Sequence, residues 1–379
     1  MRVLHIDAGR LYGGVETLLV TLARHRDLCP RMEPEFAVCF EGRLSRELRA
    51  SGVPTHVLGA VRIRRPISIW QARRRLLALL EERRFDVVVC HMPWPQAIFA
   101  PVAKSVGVPQ VFWMHDAAGN HWLERWAARV RPDLVICNSS FTASSLHKIY
   151  PGLGPEIITY PIAAPERVDV AGVRAEFDTP AEAEVVIQTS RMQEWKGHSL
   201  HLEALARLRE IPNWVCWMVG GAQRPSEMRY LEGLRQMAAK ARIAERIRFV
   251  GQRSDVPRLL AAADIFCQPN TGAEPFGIVF IEALCAGLPI VTTAMGGALE
   301  IVDNSCGILT KPGDIAELGN ALAKLICDRA LRQGLGAYGP QHARDLCDPA
   351  RQLARLHAKL QMLLAEHLPS EMNSQSSLS

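Results

Sequence analysis

The chain has 379 residues, 48% of them hydrophobic, with 44 Lys and Arg against 39 Asp and Glu for a formal charge of +5. That length exceeds one ordinary domain and suits two, each able to bury its own core. Ten cysteines without a C-x-x-C pair or metal-ligand spacing argue against a disulfide scaffold or a zinc site, and no apolar run of about 18 residues argues for a spanning helix.

The first seven residues, Met1 to Asp7, read as a strand, because their apolar run is too short for a signal peptide. With many cysteines in apolar runs, among them Cys137, Cys216, Cys267 and Cys285, this points to a reducing cytoplasm. Asp7-Ala8-Gly9-Arg10-Leu11-Tyr12-Gly13-Gly14-Val15-Glu16 then leads into a helix expected over 17–26. Glycines at such a place serve either a tight turn or the close approach of backbone to a ligand. Their spacing is not the G-x-G-x-x-G of a dinucleotide site, which sets an NAD-dependent dehydrogenase aside. Strands are expected at 35–40, 55–58, 86–90, 110–114 and 134–138, with a helix at 43–50. Such alternation predicts a parallel sheet covered by helices, with ligands at the carboxyl ends of its strands.

Arginine crowds the span Arg62, Arg64, Arg65, Arg73, Arg74, Arg75, Arg83 and Arg84. Three readings fit: a solvated helix face, attraction to an anionic membrane surface or lipid-phosphate acceptor, and nucleic acid, for which no motif speaks. Leu76, Leu77, Leu79 and Leu80 give that helix an apolar side to lay on the sheet, its arginines outward. The strand at 110–114 ends in His115-Asp116, with Trp113, Trp122 and Trp126 expected around it as core or as platforms for sugar rings. Cys90 to Pro95 ends another strand, and Asn138-Ser139-Ser140 opens a helix with a polar cap.

Prolines accumulate between Tyr150 and Glu184, which marks a linker near residue 165. A second alternating series begins with a strand at 184–189 and the loop Ser190-Arg191-Met192-Gln193-Glu194-Trp195-Lys196-Gly197. Arg191 and Lys196 share this loop and could converge on a diphosphate. Strand ends at Gly220-Gly221 and at Gly251-Gln252-Arg253 come next, then a strand at 264–268, a helix at 315–329 and a last one at 351–367. The tail 369–379 is polar and expected to be disordered.

Between them stands Asn270-Thr271-Gly272-Ala273-Glu274-Pro275-Phe276-Gly277-Ile278-Val279-Phe280-Ile281-Glu282. Pro275 suits a helix entrance, which leaves Glu274 in the loop and Glu282 on an otherwise apolar helix. A carboxylate there is costly unless paired or facing a ligand. If eight helical steps separate the two, they rise about 12 Å, so one ligand touching both must be long. The helix start between them, at Phe276, Gly277, Ile278 and Val279, suits phosphate. Sugar, diphosphate and ribose in that order would fit.

Two glutamates seven residues apart, followed by Gly287-Leu288-Pro289 and a strand, resemble the signature of family-four glycosyltransferases of the GT-B fold, the glycosyl transferases of group 1. The resemblance implies two Rossmann-like α/β domains facing across a cleft. These would be an acceptor-side domain at 1–165, with a helix at about 345–368 packing back on it, and a donor domain at 166–344. It implies that Glu274 and His115 hold the transferred sugar, Glu282 the ribose, and Arg191 and Lys196 the diphosphate. Gly13 and Gly14 would approach the diphosphate or the acceptor, Gly220 the donor, and the backbone near Arg253 the nucleobase. Thr17 stands where the family carries arginine, and Tyr160-Pro161-Ile162 where it has an Asn-Gly hinge.

The resemblance thus implies a cytoplasmic, retaining transferase, peripheral at a membrane if the arginine-rich helix meets one. It needs no metal or other cofactor and moves a sugar from a UDP- or GDP-sugar to a hydroxyl acceptor of unread identity. No nucleic acid is expected. A UDP-sugar epimerase of the same build and a non-catalytic nucleotide-sugar binder are the competing classes.

Overall fold

The computed structural model describes residues 1–119, 121–162 and 168–367. Within them the alternation of short apolar runs and helices forms two parallel sheets in two compact units. Unit 1 comprises Met1–Pro161 and the segment from Pro349, and unit 2 comprises Ile162–Asp348. The domain boundary expected at 165/166 and the tail at 369–379 lie outside the described residues.

Unit 1 has seven strands: β1 (Arg2–Asp7), β2 (Glu33–Val38), β3 (Thr55–Val57), β4 (Val87–His91), β5 (Gln110–Met114), β6 (Leu134–Cys137) and β7 (Pro155–Ile157). Their order is β3-β2-β1-β4-β5-β6-β7. The central strands are wholly buried, as Val87-Val88-Val89-Cys90 shows, because helices cover both faces and no position alternates toward water. The helix Pro66–Glu82 lays Ala72, Leu76 and Leu80 on the sheet, whereas Leu77 and Leu79 are only partly buried. The carboxy-terminal helix Pro349–His367 belongs to this unit, where Lys359 donates to Glu156 at 2.6 Å.

Unit 2 has six strands: β8 (Glu184–Thr189), β9 (Trp214–Val219), β10 (Ile247–Gly251), β11 (Ile265–Gln268), β12 (Ile290–Thr293) and β13 (Gly307–Thr310), in the order β10-β9-β8-β11-β12-β13. One core is made where Leu202 and Leu205 of the helix His198–Ala206, and Leu318 and Leu322 of the helix Ile315–Cys327, meet Val186, Cys216 and Met218 of the sheet. Strand order reverses between β1 and β4 in unit 1, and between β8 and β11 in unit 2. At such a reversal two neighbouring loops leave the sheet in opposite directions and open a crevice at its carboxyl edge.

Several local expectations shift. The strand expected at 35–40 is Glu33–Val38, and the helix expected from Thr17 starts at Gly14 and ends at Arg24. The boundary expected at 344/345 falls inside the helix Arg329–Cys347, and the chain passes between units at Asp348. That helix was missed because Pro340 stands within it, where proline ordinarily ends a helical pattern. No helix among the described residues is long and apolar enough to cross a membrane.

Candidate functional site

At the reversal in unit 2 the loop after β8 is held against its neighbours by backbone contact. Gly197 adopts φ +72°, and a Cβ there would lie 1.8 Å from the Pro269 carbonyl oxygen, on the loop after β11. Gly220, after β9, has φ +147° and would bring a Cβ 1.8 Å from the Ser190 carbonyl oxygen. Only glycine meets both demands. The amide of Thr271 donates to the Trp195 carbonyl at 2.8 Å. Three loops from three adjacent strands are thereby fixed edge to edge.

This packing brings Lys196 and Glu274 together. The ammonium donates to Glu274 Oε2 at 2.5 Å, and the same oxygen accepts from Asn270 Nδ2 at 3.0 Å. Both side chains are nearly buried, at 13% and 12% exposure, and Lys196 also lies 3.9 Å from the Trp195 ring centroid. Arg191, 24% exposed, faces Glu227 at 3.7 Å, beyond hydrogen-bond distance. Its donors are therefore less committed than those of Lys196.

Glu274 itself is pinned by a bridge to Gly296, whose neighbour Gly297 donates to the Glu274 carbonyl at 2.7 Å. The helix carrying Glu282 spans Ile278–Cys285, so Pro275, Phe276 and Gly277 are not helical. Gly277 takes φ +99° as the residue before the helix. The rise of about 12 Å expected between the two glutamates therefore does not hold, since only the last four steps are helical, about 6 Å. Glu282 is half-buried, and its carboxyl makes no hydrogen bond or ion pair among the described residues. Burial pushes that carboxyl up to about 7.

Unit 2 also leaves polar atoms unsatisfied, and they are not scattered. Thr189 Oγ1, Gln268 Oε1 and Thr293 Oγ1 end β8, β11 and β12, and Asn270 Oδ1 lies two residues past β11; all are buried without a partner among the described residues. Thr189, Gln268 and Thr293 are not among the residues expected from the sequence, where their signal is a polar residue closing an otherwise apolar strand.

Arg253 follows β10, in the loop whose backbone is expected near the nucleobase. Its guanidinium forks onto Asp255 at 2.8 Å on two bonds and meets Glu176 at 2.8 Å. The side chain is thus spoken for by carboxylates, which leaves only its backbone to meet a nucleobase.

In unit 1, Gly13 precedes the helix Gly14–Arg24, and its amide donates to Glu16 Oε2 at 2.8 Å. Its φ of −162° is extended backbone that any residue adopts, so glycine at 13 answers no local strain. Asp7, at the end of β1, accepts from the Gly9 amide at 2.7 Å, and burial raises its carboxyl to about 6. His115 is 5% exposed, and both ring nitrogens are engaged: Nε2 lies 2.9 Å from His91 Nδ1, and Nδ1 lies 2.5 Å from the Tyr160 hydroxyl. Trp113 stacks on it at 5.6 Å. Trp122 and Trp126 stack on each other at 6.4 Å, so of the three indoles expected around His115 one stacks on its ring and two form a pair of their own.

The arginine-rich span is also partly internal. Arg73 donates to the Ile98 carbonyl at 2.7 Å, Arg75 to that of Leu58 at 3.1 Å, and Arg83 to Glu35 at 2.9 Å. Arg62, Arg64, Arg65, Arg74 and Arg84 remain exposed, beside Ile67 at 71% and Trp70 at 56% exposure.

Residues 172–342 match the family described as glycosyl transferases group 1, and residues 12–159 match glycosyltransferase family 4. The lipopolysaccharide core biosynthesis glycosyltransferase LpsE of Rhizobium meliloti is 31% identical over 55% of this chain and 58% of its own length. A GDP-mannose-dependent monoacylated alpha-(1-6)-phosphatidylinositol monomannoside mannosyltransferase of Corynebacterium glutamicum is 25% identical over 87% of this chain and 89% of its own. Among solved structures, Anabaena Alr3699/HepE in complex with UDP-glucose superposes with a TM-score of 0.84 at 24% identity, covering 96% of this chain and 100% of that one.

Proposed function

Since both units belong to the glycosyltransferases, family 4 in one and group 1 in the other, with the two Rossmann-like sheets of the GT-B fold, we propose that the chain is a retaining transferase using a nucleotide-diphosphate sugar. The observation that carries this is the Lys196–Glu274 pair at the strand-order reversal of unit 2, beside the start of the helix Ile278–Cys285. A cation at that point meets a phosphate, and a carboxylate hydrogen-bonded to it and to Asn270 accepts from sugar hydroxyls.

When the bond between the anomeric carbon and the diphosphate oxygen breaks, positive charge builds on the sugar ring and negative charge on the leaving phosphate. Lys196, Arg191 and the backbone N–H groups at the start of the helix Ile278–Cys285 stabilise that phosphate with fixed donors. The acceptor hydroxyl attacks the same face of the ring and passes its proton to the departing phosphate oxygen, so the anomeric configuration is kept. No metal enters this scheme, because the protein's own cations meet the developing charge. Glu282 accepts from the ribose hydroxyls, and its lack of a partner among the described residues, with a charge that burial opposes, supports that role.

For the acceptor we favour a lipid-linked glycan. LpsE and the phosphatidylinositol mannoside transferase are the relatives that support it. In the chain itself, Ile67 and Trp70 standing exposed among Arg62, Arg64, Arg65 and Arg74 suit the boundary of an anionic lipid surface.

The test is a panel of UDP- and GDP-sugars in thermal unfolding, since a ligand that binds only the folded chain raises its stability. It is followed by transfer to a lipid-linked acceptor with the product read by NMR. Stabilisation by one donor and a product of the donor's anomeric configuration are expected. Inversion removes the mechanism, and isomerisation of the donor without acceptor favours an epimerase.

A further inference from the structure

Unit 1 buries three histidines in a line. Parallel pairing sets His5 opposite Val89, and His91 opposite Trp113. His91 therefore stands two residues beyond the level of His5, and His115 two beyond that of His91. A step of two keeps a side chain on one face of a sheet, so the three rings descend one face diagonally toward its carboxyl edge. They are 1%, 0% and 5% exposed, with neighbouring centroids at 5.2 and 5.1 Å. Phe36 stacks on the first ring at 5.4 Å, and Trp113 on the last at 5.6 Å.

Hydrogen bonds run along the line. His5 Nδ1 meets His91 Nε2 at 3.0 Å, His91 Nδ1 meets His115 Nε2 at 2.9 Å, and His115 Nδ1 meets the Tyr160 oxygen at 2.5 Å. Asn138 donates to that oxygen at 3.2 Å and to the His115 carbonyl at 3.1 Å. Burial holds all three rings neutral, His5 and His115 at about 3 and His91 well below its usual value. A neutral imidazole has one N–H and one bare nitrogen. With every bond intact, a donor at one contact forces a donor at the next, and only two orders exist.

In the first order each ring carries its proton on Nδ1, and the bonds point from His5 toward Tyr160. In the second each carries it on Nε2, and they point the other way. The orders differ at the blind end, where His5 Nε2 is buried without a partner among the described residues. The first leaves a bare lone pair there and the second an N–H, and an orphaned buried N–H is the rarer and costlier defect.

We propose that His5 and His91 are positioning residues that lock His115 as its Nδ1–H tautomer, so that the whole line is polarised toward Tyr160. The Tyr160 oxygen then accepts from both His115 and Asn138, and its own hydrogen leaves the cluster as a donor. A buried histidine in a strand where valine would pack as well is accounted for by this order. Its bearing on sugar transfer rests on the transferase function proposed above and on the sugar-holding role that the family resemblance implies for His115, whereas the order of protons rests on neither.

The experiment is long-range 1H–15N spectroscopy of the full chain labelled at histidine. Three neutral rings with protonated Nδ1 and bare Nε2, unchanged from pH 6 to pH 8, are expected. A protonated Nε2 on His115 overturns the proposal outright, with no variant needed. His5→Phe keeps the ring stack but removes the first donor, and should mix the tautomers of His91 and His115. His5→Asn, whose amide nitrogen falls where Nδ1 stood, should restore them. Unmoved tautomers in His5→Phe also sink the idea. In transfer assays His5→Phe should lower kcat about tenfold, the worth of one hydrogen bond, with the donor KM unchanged and recovery in His5→Asn. Wild-type kcat with scrambled tautomers refutes the link to turnover. No transfer by the wild-type chain, with the proton order intact, refutes the transferase reading alone.

Discussion

Replacing Glu282 by glutamine should make the protein more stable at pH 8 and a poorer binder of nucleotide. The carboxyl titrates at about 7 in the folded chain against an ordinary value of 4.5, because burial disfavours its charge. Between those values the folded state holds a proton that the unfolded state has released. Stability is therefore full below about pH 4.5, falls as pH rises through the window, and stays lower above 7. At 1.36 kcal/mol per pH unit the loss is at most about 3 kcal/mol. Glutamine has nothing to ionise and escapes it. At about 2–4 °C per kcal/mol for a unit of this size, Glu282→Gln should melt up to about 10 °C higher than wild type at pH 8, and level with it at pH 4. A charged acceptor of a ribose hydroxyl is worth about 1.5–3 kcal/mol, so affinity for the cognate nucleotide should fall about 10- to 100-fold. Urea unfolding at both pH values and calorimetry with UDP and GDP check the two halves. Equal stability at pH 8, or undiminished affinity, refutes the reasoning.

Lys196→Ala strips a nearly buried carboxylate of its cation, and unfolding should show a loss of about 3 kcal/mol or more; turnover should fall at least about 100-fold, measured with saturating donor. Gly220→Ala forces a Cβ onto the Ser190 carbonyl at φ +147° and should destabilise unit 2 by about 3 kcal/mol or more, read as an earlier unfolding transition. Turnover should persist in excess chelator; collapse there with recovery on adding magnesium contradicts the metal-free scheme. Ile67→Ser with Trp70→Ser should abolish sedimentation with vesicles containing anionic lipid and leave transfer to a short water-soluble acceptor intact.

The sequence disclosed the architecture because burial wrote itself into composition. Runs such as Val87 to Cys90 and Trp214 to Val219 have no polar face, which is how a strand covered on both sides must read. Lys196 and Glu274 were legible as candidates from their places after strands, but their contact was not. They stand 78 residues apart, and what joins them is the fit of Gly197 against the Pro269 carbonyl, a fact of backbone geometry. The hold of Glu176 on the Arg253 guanidinium is likewise a contact between distant segments that only the fold makes. Three arginines of the basic span likewise proved to be donors to backbone carbonyls or to Glu35.

Placement of the unsatisfied atoms distinguishes a built site from an accident of packing. A sheet interior tolerates few buried polar groups without partners, and random imperfections would fall anywhere along the strands. Among the described residues of unit 2 they fall at Thr189, Gln268, Asn270 and Thr293, at or just past the carboxyl ends of three neighbouring strands, and at His201, in the first turn of the helix after β8. Val or Ile at the end of β8 or β12 would have packed at no such cost. The same edge holds the ion pair that couples two loops across the strand-order reversal, Lys196 with Glu274, and a glutamate whose charge burial opposes. Each is a liability for folding taken alone. Under the function proposed above, a ligand with hydroxyls at both ends and phosphates between them would meet the strand-end atoms, the ion pair and the Glu282 carboxyl together, and this shared edge, more than any single residue, is the ground for proposing a donor site there.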